Sequence, residues 1–470
     1  MIKLELYGNL GIKIKTLDRE YLSNVKEYFT EYVEGYVHMQ KYKSGQWNGK
    51  ICLLNNNILP YGLLTDLLKY HKKTCPERNI IVDKKILNLF RNDPLDIVYD
   101  LKFQPYDYQQ DCIESALKFK CGIIVSATAS GKSLMISYIL KNLIDNNKIK
   151  KPIIVVPTTG LVEQFYDDIL DYGVDENLVG RVYSKCKEST FEKPITISTW
   201  QTLQNKKQIM SNYDCVIVDE VHGVRGYQLR DILKQSVNAE FRLGFTGTMP
   251  DNDLETLNVK SYLGPTLRTY TAGWLMDHGY IAKCTVNVFD LIYSDEYNGK
   301  YNDVKDAIFV NPFRLNLIKN ITQDVDGNIL LLVGKVEKEG KVLKEYLDRH
   351  IEGKEVIFLW GDTDLEIREK WRKECENRKN LVIIATYGIF QMGINIPSLR
   401  YLLFASPFKS KIRVLQSIGR ALRKHMDKKN GAIIYDLIDH VKYLQNHGDK
   451  RVRYYNSEGF ENTEQTLTEC

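Results

Sequence analysis

The sequence predicts a small α+β domain followed by two tandem α/β lobes, each built on a parallel sheet. Three observations carry this. Residues 1–98 are rich in Tyr, Lys and Asn and hold short alternating runs. From residue 99 the pattern changes to short apolar runs separated by helical stretches, and it repeats after residue 284. Runs of four or five apolar residues suit strands buried on both faces of a helix-covered sheet. The 470 residues also amount to about three domains of ordinary size. The expected domains are 1–98, 99–283 and 284–470.

In the first domain, Lys3–Tyr7 and Gly11–Lys15 alternate as strands. A helix is expected over Arg19–Tyr32, with Tyr21, Leu22, Val25, Tyr28, Phe29 and Tyr32 on its apolar face. Asn48-Gly49 before Ile51–Leu54 signals a tight hairpin, and Asn92-Asp93-Pro94 marks the boundary. Lysines (Lys41, Lys43, Lys50, Lys69, Lys72, Lys73) are mixed with aromatics (Tyr42, Trp47, Tyr61, Tyr70). Such a mixture can hold phosphates and stack an unpaired base. Trp47 fits equally a core position behind the hairpin. The first lobe offers strands at Gly122–Val125, Ile153–Val156, Ile195–Ile197 and Cys215–Val218. The second offers Ile329–Val333, Val356–Leu359, Leu381–Ala385, Tyr401–Ala405 and Ala432–Tyr435.

Composition narrows the function. Lys and Arg number 65 against 60 Asp and Glu, a net charge of +5. A histone-like polycation is excluded, so any nucleic-acid contact must rest on local positive charge. The apolar runs are far shorter than the ~18 residues of a membrane span, and the first residues mix charges with no signal-peptide core. The nine cysteines are scattered with no Cys-x-x-Cys pair. Structural zinc and a disulfide framework are not expected, and a cytoplasmic protein is.

The first chemical motif is Ser130-Gly131-Lys132-Ser133, which comes after a strand and small residues and opens a helix at Leu134–Leu143. Small side chains let backbone N–H groups curl around phosphate, and the helix N-terminus adds positive charge. Lys132 is then expected on the β and γ phosphates, with Ser133 on Mg²⁺. Ser126 stands where this motif usually has its first Gly. The second motif is an apolar strand ending in Asp219-Glu220, 87 residues after Lys132. Asp219 is expected to hold Mg²⁺, and Glu220 to orient and deprotonate the attacking water. Two acids after a strand also cap helices, and His222 fits an ordinary surface position.

In the second lobe, Gln416-Ser-Ile-Gly-Arg420-Ala-Leu-Arg423 puts two arginines on one helix face. Such a pair can stabilise a transferring phosphoryl group. Residues 409–429 carry eight Lys or Arg and one acid, so a solvated basic face explains the flanks.

In chain order these motifs join Tyr108-Gln109, Pro157-Thr158-Thr159, Thr199-Trp-Gln201-Thr202, Thr246-Gly-Thr248, Thr386 and Gly393-Ile-Asn395-Ile-Pro. Over residues 100–440 this series resembles the superfamily 2 helicases. With the Gly45–Lys50 segment, it is similar to the branched-DNA helicases of T-even phages. The resemblance implies RecA-like lobes, ATP and Mg²⁺ as cofactors, and a DNA partner in the form of forks, junctions or R-loops. It also implies work in phage recombination, repair and replication within the host cytoplasm. It implies that Gln109 reads adenine and that Ser130, Gly131, Asn395 and Gln416 line the nucleotide. Thr158, Thr159, Gln201, Thr202, Thr386 and Gly393 would touch the nucleic acid, the threonines being equally suited to helix capping. His222, Thr246 and Thr248 would couple hydrolysis to movement, and Arg420 and Arg423 would reach the γ-phosphate. Asn395 departs from the Asp of many relatives. A monomer without membrane contact is expected. An RNA helicase, a double-strand translocase and an ATP-switched clamp remain the alternatives, although a clamp has no need of Glu220.

Overall fold

The structure, a computed structural model, describes residues 1–183, 191–223, 226–392, 396, 398–406, 410–422 and 431–469. Within these, the side chains of residues 226, 227, 365, 390–392, 411–413, 416 and 420 are not described. By internal contacts the chain forms two compact units: Met1–Ser126 with Gly131–Thr269, and Ala127–Ser130 with Tyr270–Cys470.

The first unit begins with a four-stranded sheet. Strands β1 (Ile2–Tyr7) and β2 (Gly11–Lys15) form an antiparallel hairpin. Alternation sends Ile2, Leu4, Ile12 and Ile14 into the core. There they meet Tyr21 and Val25 of helix Arg19–Tyr28, which Asp18 caps by accepting the Tyr21 N–H at 2.9 Å. The helix is four residues shorter than its apolar pattern suggests. Thr30–Tyr32 instead forms β3, antiparallel to β4 (Lys50–Cys52), so strand pairing overrides the helical period. Asn48-Gly49 is therefore no tight hairpin: Gly49, at φ 81°, feeds β4 against a partner some twenty residues earlier. The two-residue turn lies further on, at Asn56 and Asn57, both with positive φ and flanked by the Asn55–Ile58 bridge. Strands β5 (Ile58–Pro60) and β6 (Ile80–Val82) complete the sheet in the order β5-β2-β1-β6.

This small sheet is fused to the rest of the first unit. Cys121 belongs to its apolar core. The buried Tyr61 donates its hydroxyl to the Tyr262 carbonyl at 2.8 Å, and Lys260 lies 2.9 Å from Asp66. A β-carbon at Gly62 would come within 2.0 Å of the Lys260 carbonyl. Backbones in such contact do not part without unfolding the joint.

The larger sheet of this unit comprises β7 (Cys121–Ser126), β8 (Pro152–Val156), β9 (Val179–Val182), β10 (Ile195–Thr199), β11 (Cys215–Asp219), β12 (Phe241–Thr246) and β13 (Thr266–Tyr270). Its order is β13-β7-β12-β11-β8-β10-β9, and the pairs from β7 to β9 are parallel. The second unit has a seven-stranded, fully parallel sheet: β14 (Cys284–Ile292), β15 (Ile329–Val333), β16 (Glu355–Leu359), β17 (Leu381–Thr386), β18 (Tyr401–Phe404), β19 (Ala432–Asp439) and β20 (Glu461–Thr468). Its order is β16-β17-β15-β18-β19-β14-β20. Among the described residues no helix is long and apolar enough to cross a membrane.

Candidate nucleotide site

Register brings five strand ends level in the first unit. Thr246 pairs with Val125, Asp219 with Phe245, Val218 with Val155, and Thr199 with Val156. Parallel sheets hold ligands outside their carboxyl ends, and most of the expected site residues stand there.

β7 ends in Ser126 and turns into helix Lys132–Asp145. Ala129 (φ 68°) and Gly131 (φ 75°) take left-handed backbone in that turn. Gly131 caps the helix without a side-chain bond, so first-turn N–H groups are left for a ligand. A β-carbon at Gly131 would come 2.5 Å from Nε2 of the buried Gln109. Gln109 is held in place by its Oε1, which accepts the Tyr106 N–H at 2.8 Å. Ser130 is buried.

Lys132 Nζ lies 3.4 Å from Glu220 Oε1 and 3.4 Å from the Ser126 carbonyl. Glu220 sits at φ 51°, a backbone state costing about 1–3 kcal/mol for a non-glycine residue and concentrated at functional sites. Asp219 Oδ1 and Ser126 Oγ are buried with no hydrogen-bond partner among the described residues. Burial, reinforced by the Glu220 charge, pushes the Asp219 carboxyl up to about 7 against the pull of Lys132. Burial opposes Glu220 ionisation too, but Lys132 and His222 outweigh it and hold that carboxyl below its usual value.

Glu220 continues into a chain of polar groups. His222 Nδ1 is 3.4 Å from Glu220 Oε2 and 2.6 Å from Thr246 Oγ1. Thr246 donates its one hydroxyl proton to the Thr248 carbonyl at 2.7 Å. It must then accept from His222, which places the imidazole proton on Nδ1. Burial lowers the His222 pKa, so the ring is neutral at pH 7.

Ser133, the expected metal ligand, has its hydroxyl 2.8 Å from the Tyr172 hydroxyl. Thr158 caps helix Thr159–Asp171 by accepting the Leu161 N–H at 3.3 Å, and Thr159 is exposed beside it. Gln201 is exposed and donates to the Pro157 carbonyl at 3.0 Å; Thr202 shares a 2.9 Å hydroxyl contact with Thr199. In the second unit, Thr386 ends β17 and is buried. Gln416 and Arg420 fall on helix Lys411–Ala421, whose backbone alone is described at those positions. Gly393, Asn395 and Arg423 lie outside the described residues.

Sequence reasoning misses Tyr172 and Tyr106. Tyr106 leaves a half-exposed ring (52%) beside the Gln109 contact; an aromatic three residues before the glutamine is its signal. Tyr61, expected among stacking aromatics, is instead buried at the Tyr262 joint. Trp47 is half-buried with its indole N–H on the Lys50 carbonyl at 2.8 Å. Exposed rings are found at Tyr28, Tyr32 and Tyr42, with Tyr32 stacked on Tyr36 at 4.5 Å and Lys50 Nζ 4.6 Å above Tyr32.

Comparison with known proteins adds independent findings. Three family models match: the N-terminal domain of the DNA helicase UvsW over residues 2–83, the res subunit of type III restriction enzymes over 102–251, and the helicase conserved C-terminal domain over 314–425. The ATP-dependent DNA helicase UvsW of Enterobacteria phage T4 is 28% identical, covering 93% of both chains. The DNA 3'-5' translocase XPB2 of Sulfurisphaera tokodaii is 23% identical over 87% of this chain and 96% of its own. Among solved structures, T4 UvsW covers 99% of both chains at 24% identity with a TM-score of 0.51. A fragment of an HsdR restriction subunit from Vibrio vulnificus matches at TM-score 0.61 with 16% identity, over 82% of this chain and 74% of its own.

Proposed function

From a chain that is a UvsW-like superfamily 2 helicase, we propose an ATP-driven motor acting on branched DNA. One observation carries the chemistry: Lys132, Asp219, Glu220 and the His222–Thr246 pair converge at the carboxyl edge of the first large sheet. The unpartnered Asp219 oxygen and the uncapped helix start at Gly131 suit a cation and a phosphate respectively. Ser133 and Asp219 would hold Mg²⁺, which supplies charge neutralisation on the β and γ phosphates. Lys132 binds the phosphates and leaves Glu220, and losing that cation raises the basicity of the buried carboxylate that takes a proton from water. His222 transmits the state of Glu220 to Thr246 and Thr248. Arg420 and Arg423 complete the charge around the γ-phosphate. Thr158, Thr159, Gln201, Thr202, Thr386 and Gly393 hold the strand, while Asn395 and Gln416 serve the nucleotide.

We assign substrate selection to residues 1–98. Exposed Tyr32 and Tyr42 beside Lys41, Lys43 and Lys50 support stacking and phosphate contact there. Deleting the module would expose the joint around Tyr61, so surface substitutions are the sounder probe. The test is ATPase stimulation by single strand, duplex, fork, four-way junction and RNA–DNA hybrid. Forks and junctions are expected to stimulate most, and Tyr32→Ala with Tyr42→Ala should erase that preference while keeping single-strand stimulation. A double-strand translocase would instead respond fully to plain duplex and separate no strands.

A further inference from the structure

Ser133 is bonded to a residue outside the expected site. Its hydroxyl lies 2.8 Å from that of Tyr172, 39 residues further along the chain. A serine hydroxyl has one proton and two lone pairs, and a metal ligand must turn a lone pair toward the ion. While Ser133 is engaged with Tyr172, its rotamer is fixed by that partner and not by the phosphate loop.

We infer that Tyr172 competes with the metal for its ligand: its hydroxyl engages that of Ser133 and must release it when Mg²⁺ and nucleotide bind. The inference rests on the assignment of Ser133 to the metal. Tyr172 is well placed for such a role. It ends helix Thr159–Asp171, its carbonyl accepts the Lys102 N–H at 3.1 Å, and its ring meets Phe103 edge-on at 5.9 Å. Gly173 comes next at φ 98°, a backbone state that ends the helix. Tyr172 and Gly173 also line a cavity of about 390 Å³ with Ser137, Leu140, Lys141 and Ile169. The segment carrying Phe103 leads directly to Gln109, which touches the phosphate loop at Gly131. The contact therefore sits among elements expected to respond to nucleotide.

The experiment measures Mn²⁺ affinity in the presence of ADP by electron paramagnetic resonance. Tyr172→Phe keeps the ring and its Phe103 contact while removing the hydroxyl. Mn²⁺ affinity is expected to rise roughly fivefold, the net worth of one hydrogen bond, with metal-free ADP affinity unchanged. In a Ser133→Ala background the Tyr172→Phe change should have no effect. If Ser133→Ala weakens Mn²⁺ binding but Tyr172→Phe leaves it unchanged or weaker, the inference is overturned alone. If Ser133→Ala does not alter Mn²⁺ binding, the metal assignment falls first and takes this inference with it.

Discussion

At the end of β7, Lys132 stands 3.4 Å from Glu220 while Asp219 keeps one oxygen unpartnered. At the end of β15, in the other unit, donors of the same kinds are already used. The N–H groups of Gly334 and Lys335 donate to Glu339 Oε2 at 2.6 and 3.0 Å, and Lys305 Nζ lies 2.9 Å from Glu339 Oε1. Glu339 is fully buried on a π-helical turn, Val336–Lys341. A β-carbon at Gly334 would touch Glu339, Lys305 and Ser406, each at 3.2 Å. A carboxylate offers the negative charge and acceptor oxygens that a phosphate does. A loop that supplies its own carboxylate is satisfied without a ligand. Two sheets of one architecture thus differ in whether the chain itself completes the cradle.

Four measurements probe this difference between the open and the filled loop. If the second unit serves hydrolysis through its helix rather than its loop, Arg420→Ala should bind ATP nearly normally and lose roughly 10³-fold or more in kcat; an unchanged kcat would return the helix to a solvated face. Glu339→Ala leaves Lys305, 8% exposed, buried without its partner. It should cost about 3–5 kcal/mol in urea unfolding, since removing one member of a buried pair strands the other charge. A stable Glu339→Ala protein with altered nucleotide affinity would show the second loop to be a site after all. Lys132→Ala, at the open cradle, should lower steady-state ATP hydrolysis by roughly 10²–10³-fold and leave salt-sensitive DNA binding, as expected when one preorganised donor is removed. The smallest effect is in pH. A carboxyl raised to about 7 carries its proton below that pH and must lose it to hold a cation. Metal affinity with ADP, titrated calorimetrically, should therefore fall about tenfold from pH 8 to pH 6. A flat profile would remove Asp219 from the metal.

Much of this is legible in the sequence because apolar runs and motif order survive without tertiary information. Ile329–Val333 and Cys215–Val218 read as strands since every residue in them is buried. β12 escapes the pattern because Arg242 and Gly244 break its apolar run; tertiary packing accommodates them, with the Arg242 guanidinium donating to the Ser236 carbonyl at 2.7 Å. β20 escapes it because Glu461–Thr468 is polar and mostly exposed, and only its pairing with β14 makes it a strand. The phosphate loop and its carboxylates can be named from spacing alone. The Ser133–Tyr172 contact cannot, because neither residue type nor spacing announces a bond made between separate helices. Nor can Glu339, which looks like one more charge in Lys335–Lys341 until the loop folds around it.

The place of β20 also bears on how the protein is made. It pairs in parallel with β14, Thr285 opposite Glu461, and comes after every other strand of its sheet in the chain. Translation at about 5–20 residues per second puts roughly 10–35 s between those two partners. Throughout that interval β14 has no neighbour on one side, and its row of N–H and C=O groups is open to any passing strand. The first unit has no such wait for its phosphate loop, since β7 and β12 both emerge before β14 begins. A ribosome stalled before residue 461 would therefore release a chain with a finished ATP cradle and a sheet edge prone to aggregate.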